Sequence, residues 1–317
     1  MSVERHSQKA VVLAPSGTHK STIILLHGRG RKANVFAGEM TFLQQALPHT
    51  KLVFPWAPRQ RATVYKKSFT RQWFDDWHLS PDLQCTDIVH ARYDEGLQTS
   101  GLGETVNYLH ALIREESRHV DGVQNVVLGG FSQGAAASLI AALLWDEEPR
   151  LGGVVAMCAW LPYMTQMAEI LQRSGGEGAL GSGRGAEQDG DGFDPFERTP
   201  SRDDEVGRGM SGVQAVLEWL RDEIDLPQKN KPGYHGGLGQ IPVLFSHGSN
   251  DNKVMPERSQ DARDFLSSLG PIFIEEKTYP GVGHEISENM TADIAAFLSS
   301  VLGGNVTNVT QSKLEAL

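Results

Sequence analysis

A serine between two glycines, an aspartate after one apolar run and a histidine after another are the residues in this sequence best placed to do chemistry. The serine is Ser132, in Gly130-Phe131-Ser132-Gln133-Gly134, which fits G-x-S-x-G. A β-branched apolar run over 126–128 leads into it and an alanine-rich stretch follows, so the pentapeptide marks a strand-to-helix turn. At such a turn a strained serine backbone projects Oγ from the bend, and the glycines let strand and helix approach. A glycine-rich turn with a capping serine is the competing reading of five residues. The strand before and the helix after favour the nucleophile elbow.

A serine hydroxyl is a weak nucleophile at neutral pH and needs a base, usually a histidine that a carboxylate orients. Asp251 follows the apolar run 241–246, and His284 stands in the glycine-rich loop after a later run. Taken singly, Asp251 is a turn former or helix cap, and His284 is a loop histidine satisfied by backbone. In the order serine, acid, histidine, each past the end of a strand, they read as nucleophile Ser132, orienting acid Asp251 and general base His284.

The oxyanion that forms during acyl transfer needs two backbone donors, each worth about 3 kcal/mol in other serine hydrolases. One expected donor is the N–H of Gln133, the residue after the nucleophile. The other is the N–H of Arg29, in the early loop His27-Gly28-Arg29-Gly30. A backbone donor tolerates any side chain but proline, so an arginine does not break the hole. The side chains of Arg29, Arg31 and Lys32 either place positive charge at the cleft mouth or point into water.

The elements that must carry these residues alternate between strand and helix, which predicts a parallel sheet covered on both faces. Residues 9–13 read as an edge strand, and 21–26 (STIILL) as a strand buried on both sides. A helix over 34–47 and a strand over 51–54 follow. The connection 59–99 is polar and aromatic, and its Trp73-Phe74-Asp75-Asp76-Trp77 cluster is either a satellite core or one wall of a cleft. Beyond it the pattern gives a helix over 102–113, the elbow, a strand over 153–157, a strand over 241–246, a helix over 257–269, a strand over 272–278 and a helix over 288–301.

Between 165 and 240 the composition changes. Eight of the eighteen residues 175–192 are glycine, too little apolar surface to offset the entropy of ordering them. Val213, Val216, Leu217, Leu220 and Ile224 then recur at helical spacing. The insertion thus reads as a mobile loop followed by an amphipathic helix, either a surface excursion or a lid. The whole chain, 1–317, reads as one domain with a frayed tail over 303–317.

Composition excludes several classes. No apolar run approaches the length that spans a bilayer, and the start of the chain lacks a secretory apolar region, so no stable membrane anchor is expected. Two cysteines, Cys85 and Cys158, make no disulfide framework and suit a cytoplasmic, non-secreted protein. The net charge of −10 argues against a nucleic-acid partner; half of it lies in 175–210, with nine acidic and four basic residues. Gly28-x-Gly30-x-x-Ala33 matches a dinucleotide fingerprint weakly, with no acid after the next strand to hold a ribose. His27, His247 and His284 lack zinc-site spacing, so neither metal nor cofactor is expected.

With these residues in hand, the chain resembles the acyl-protein thioesterase and lysophospholipase branch of the phospholipase/carboxylesterase family. The matching pieces are IILLHGRG, WFD at 73–75, GGFSQGAAASL, LGGVVAMCAWLP, PVLFSHGSNDNKV and YPGVGHEIS, in order and over most of the chain outside the insertion. The resemblance implies an α/β-hydrolase fold and hydrolysis of carboxylic thioesters or esters without a cofactor. It carries the triad onto Ser132, Asp251 and His284, and the oxyanion hole onto Arg29 and Gln133. It also makes Trp73, Phe74, Trp160 and Leu161 candidate substrate-wall residues.

The expected substrates are S-acylated proteins or small acyl esters and lysophospholipids. A general carboxylesterase or lysophospholipase is the alternative enzyme, and a non-catalytic binding protein on the same fold the alternative class. Arginines at 29 and 31, where relatives usually carry an apolar residue and an acid, and the 165–240 insertion, are the chief departures from the family pattern.

Overall fold

The computed structural model describes residues 9–77, 93, 96–176, 211–227, 239 and 241–303. Seven strands form one sheet in the order β1-β3-β2-β6-β7-β8-β9. They are β1 Val11–Leu13, β2 Ser21–Leu26, β3 Thr50–Phe54, β6 Val126–Phe131, β7 Gly153–Met157, β8 Val243–Gly248 and β9 Ile274–Tyr279. Only β1 runs antiparallel, against β3; every other pair is parallel. β4 (Arg59–Ala62) and β5 (Ser68–Arg71) make a separate hairpin inside the long connection.

The period-two alternation of strand side chains divides the core in two. Ile24, Leu26, Leu128, Val154, Ala156 and Phe245 enter the layer under α3 (Thr99–Ser117), α4 (Gln133–Leu143) and α7 (Pro256–Ser268). Ile23, Leu25, Val127, Val155, Met157 and Leu244 enter the layer under α1 (Ala33–Glu39), α2 (Phe42–Ala46) and α8 (Glu288–Gly303). The strands therefore read as continuous apolar runs, as parallel strands covered on both faces do. α8 supplies Met290, Ile294, Phe297 and Leu298 on one helical stripe. β9, at the open edge, carries Glu275, Glu276 and Lys277, charges that discourage further pairing.

The expected helix over 34–47 is two short ones, α1 and α2, broken at Met40 and Thr41. Each has too few residues to hold its own axis, and the buried Phe36, Met40 and Leu43 set the direction of each piece separately.

In the insertion, α5 (Met164–Gly176) was not anticipated: its start falls where the sequence reads as an excursion. The amphipathic stripe after the glycine-rich stretch is helical as expected, in α6 (Gly212–Glu223), with Ser211 accepting the Gln214 amide at its N-terminus. Val216, Leu217, Leu220 and the following Ile224 are buried. Arg221, also buried, donates to the Leu144 carbonyl at 2.7 Å and pairs with Asp146 at 2.9 Å. Thr99 and Tyr93 donate to Glu223, so this helix is tied to the main domain. The glycine-rich loop expected from 175 is helical at Gly175 and Gly176, the last residues of α5; its remainder and the tail beyond Gly303 lie outside the described residues.

Candidate active site

β6, β8 and β9 are neighbours or near neighbours in the sheet and deliver the candidate residues just past their C-terminal ends, where open parallel sheets place their sites. β6 runs directly into Ser132, and α4 begins at Gln133. Ser132 has φ 56° and ψ −122°, a conformation that costs a non-glycine residue on the order of 1–3 kcal/mol. Two hydrogen bonds hold it there: its amide donates to the Met157 carbonyl at 2.8 Å, and its carbonyl accepts from Ala136 at 3.0 Å. At Gly134 an added Cβ would fall 2.3 Å from the Leu26 carbonyl oxygen, so the close approach of α4 to β2 requires glycine.

His284 bridges Ser132 and Asp251. Its Nε2 lies 3.0 Å from Ser132 Oγ, and its Nδ1 lies 2.6 Å from Asp251 Oδ2. That spacing makes Nδ1–H the donor to the carboxylate and leaves Nε2 to accept the serine proton. Asp251 Oδ1 accepts the amides of Lys253 and Val254 at 2.9 and 3.0 Å. Burial alone pushes this carboxyl up, but hydrogen bonds from His247, His284 and the Val254 amide outweigh it and hold the group well below the usual carboxylate range. The two loops are stitched to each other: Asn250 donates to the Val282 carbonyl, and Gly281 to Ser249 Oγ.

Arg29 and Gln133, the expected sources of the oxyanion donors, line the same cleft as Ser132. The N–H of Gln133 is among the first of α4 and has no acceptor inside that helix. Its side chain has a separate role that sequence reasoning missed: Oε1 accepts the Trp73 amide at 3.0 Å and Nε2 donates to the Phe74 carbonyl at 2.8 Å. Trp73 Nε1 in turn donates to the His27 carbonyl at 2.7 Å. His27 donates from Nδ1 to the Gly28 carbonyl and accepts the Ala57 amide at Nε2. Burial holds this ring neutral, with its pKa lowered to about 4. The Arg29 loop is thus fixed from below by backbone contacts.

Neither arginine beside the cleft is free in water. Arg29 pairs at 3.5 Å with Asp76, whose other oxygen accepts from Gln98 and the Trp77 amide. Arg31 pairs with Glu39 at 2.6 Å and lies over the Phe131 ring, which packs at 4.7 Å against His284. Lys32 is exposed ahead of α1.

The triad opens into a cleft of about 700 Å³ that Arg29, Tyr65, Trp77, Trp160 and Lys253 help to line. A second cavity of about 120 Å³ shares Trp77 and Trp160 with it and includes Leu161. Of the expected wall residues, Trp160 borders both cavities and Leu161 the second. Trp73 and Phe74 are fully buried and line neither; they belong to the core beneath. The aromatic cluster of the long connection is therefore both alternatives at once: Trp73 and Phe74 are core, and Trp77 is wall. Tyr65, between the hairpin strands, carried no signal that could have marked it.

Cys158, His247 and Asp251 each put one polar atom within 4.8 Å of the others, all three buried. Burial and the adjacent Asp251 carboxylate push the Cys158 thiol well up, which keeps it neutral. These groups direct protons at one another, the pattern of a hydrogen-bond network.

A mostly parallel sheet with a serine at its elbow and an acid and histidine past later strands defines an α/β-hydrolase. Residues 7–176 match the family model described as Phospholipase/Carboxylesterase, and the chain belongs to that family. The match spans Ser132; the positions of Asp251 and His284, beyond it, rest on the distances above. Acyl-protein thioesterase 1 of Gibberella zeae is 24% identical over 92% of this chain and 95% of its own. Carboxylesterase SOBER1 of Arabidopsis thaliana is 25% identical over the same shares. Among solved structures, acyl-protein thioesterase 2 of Zea mays aligns over 93% of this chain and 99% of its own, at 21% identity and a TM-score of 0.62, a likeness of fold. Among the described residues, no helix is long and apolar enough to cross a membrane.

Proposed function

We propose that this chain is a serine hydrolase of carboxylic thioesters and esters, acting on S-acylated proteins or small acyl esters in the cytoplasm. Ser132 Oγ attacks the acyl carbonyl while His284 Nε2 takes its proton, and Asp251 steadies the imidazolium that forms. The amides of Gln133 and Arg29 hold the oxyanion. His284 then passes the proton to the leaving thiol or alcohol, giving an acyl-Ser132 ester. Water, deprotonated by His284, attacks that ester; the acid leaves and Ser132 regains its proton.

The observation that carries this reading is the unbroken contact from Ser132 Oγ through His284 to Asp251, at 3.0 and 2.6 Å, with the serine at positive φ at a helix start. The named thioesterase and carboxylesterase relatives support the reaction class. A cytoplasmic setting is supported by the scarcity of cysteines.

The test is hydrolysis of a palmitoyl thioester and a butyryl oxygen ester by wild type and Ser132→Ala. Loss of the nucleophile is expected to lower kcat by about 10⁶-fold. Turnover of the short ester alone would replace the long-chain thioesterase reading with a general carboxylesterase. Failure of a fluorophosphonate to label Ser132 in folded protein would leave a binding protein on this fold.

A further inference from the structure

His247 is buried beside the triad, and its contacts fix which nitrogen faces Asp251. Its Nδ1 lies 2.8 Å from Ser259 Oγ, and that hydroxyl lies 2.8 Å from the Ala159 carbonyl. The ring is anchored at Nδ1 by a hydroxyl, a group that donates or accepts. At the other end, Nε2 lies 2.8 Å from the Val254 carbonyl and 3.2 Å from Asp251 Oδ2, acceptors both. Nε2 therefore carries a proton. With that proton aimed at Asp251 and Nδ1 engaged by Ser259, the ring turns no lone pair towards the Cys158, His247 and Asp251 cluster, which removes its cation reading.

We infer that His247 is a positioning residue of the triad, a second imidazole whose Nε2–H fixes the carboxylate of Asp251 for His284. The inference rests on the proposed triad and adds a member to it. Asp251 Oδ2 receives both imidazoles and Oδ1 two amides, so the carboxylate cannot rotate without breaking several bonds. α7 holds the far end through Ser259, and the Cys158 thiol faces the pair from the end of β7. His247 is 4% exposed and does not line the cleft, so it acts on turnover through Asp251 rather than on binding.

The experiment has two arms. In nitrogen-15 spectra of imidazole-labelled wild-type protein, His247, assigned by through-bond correlation, is expected to show an attached proton on Nε2. A bare Nε2 overturns the inference, and this arm needs no variant to fold. In the second arm, folded His247→Gln is expected to lose on the order of ten-fold in kcat, the scale for groups that orient another ligand or base. KM should stay unchanged. An unchanged kcat, or a loss carried by KM alone, overturns the positioning role. If wild type itself hydrolyses no acyl ester, the triad reading has failed, an outcome the first arm distinguishes.

Discussion

Gln133 holds the backbone of Trp73 and Phe74 with both ends of its amide, while its own N–H sits beside the Ser132 nucleophile. One residue thereby couples the floor of the cleft to the elbow. Gln133→Ala removes the side-chain hydrogen bonds to the buried Trp73 N–H and Phe74 C=O, each worth about 1–3 kcal/mol. Urea denaturation should show a loss within the sum of that range, with kcat reduced as the donor shifts. Wild-type stability in the variant would contradict the clamp.

Asp251→Asn tests the acid. Two imidazoles and two amides all donate to this carboxylate, so an amide NH₂ would face donors at one oxygen position or the other. By analogy with other triads kcat should fall about 10⁴-fold. Steady-state rates with a thioester substrate decide it, and a loss below ten-fold would mean that Asp251 does not orient His284.

Stability should fall on the acid side through two buried histidines. Burial lowers His27 and His110 to about 4, and an unfolded histidine titrates near 6.5. Between those values the unfolded chain binds more protons than the native one, so stability drops as pH falls from about 6.5 towards 4. At pH 5 each group should cost about 2 kcal/mol. Urea midpoints at pH 7.5 and 5 measure this, and replacing His110 by Gln should flatten the difference; equal midpoints in wild type would refute it.

Gly103→Ala should loosen α6 from the domain. A Cβ at this position would lie 2.0 Å from the Ile224 carbonyl oxygen, so one backbone must move. The expected cost is about 1–3 kcal/mol. A melting temperature equal to that of wild type would show that the insertion yields freely there.

Much of this architecture was legible because the signals are local. STIILL is apolar on both faces, and Ser132 carries its glycines with it. Asp251 and His284 were found by order and by strand ends, since a parallel sheet gathers its strand ends at one edge. What stayed hidden depends on distant partners. Trp73 and Trp77 look alike in sequence; one is core and one is wall, and Asp75 between them binds the distant Thr63 amide and hydroxyl. His247 seemed a metal candidate to be dismissed. Its role emerges only with Ser259, a residue of the next helix, at 2.8 Å. Nothing in the pattern before the glycine-rich stretch separated α5 from the rest of the insertion.

Ser132 and His284 are 152 residues apart in sequence and meet across a sheet in which β7 and β8 pair. The glycine-rich stretch lies between those two strands. A chain cut there would yield one piece with Ser132 and one with Asp251 and His284, neither able to turn over alone. Hydrolysis would return only when the pieces reassociate along the β7–β8 seam, which makes this fold a natural frame for a split reporter whose signal is its own chemistry.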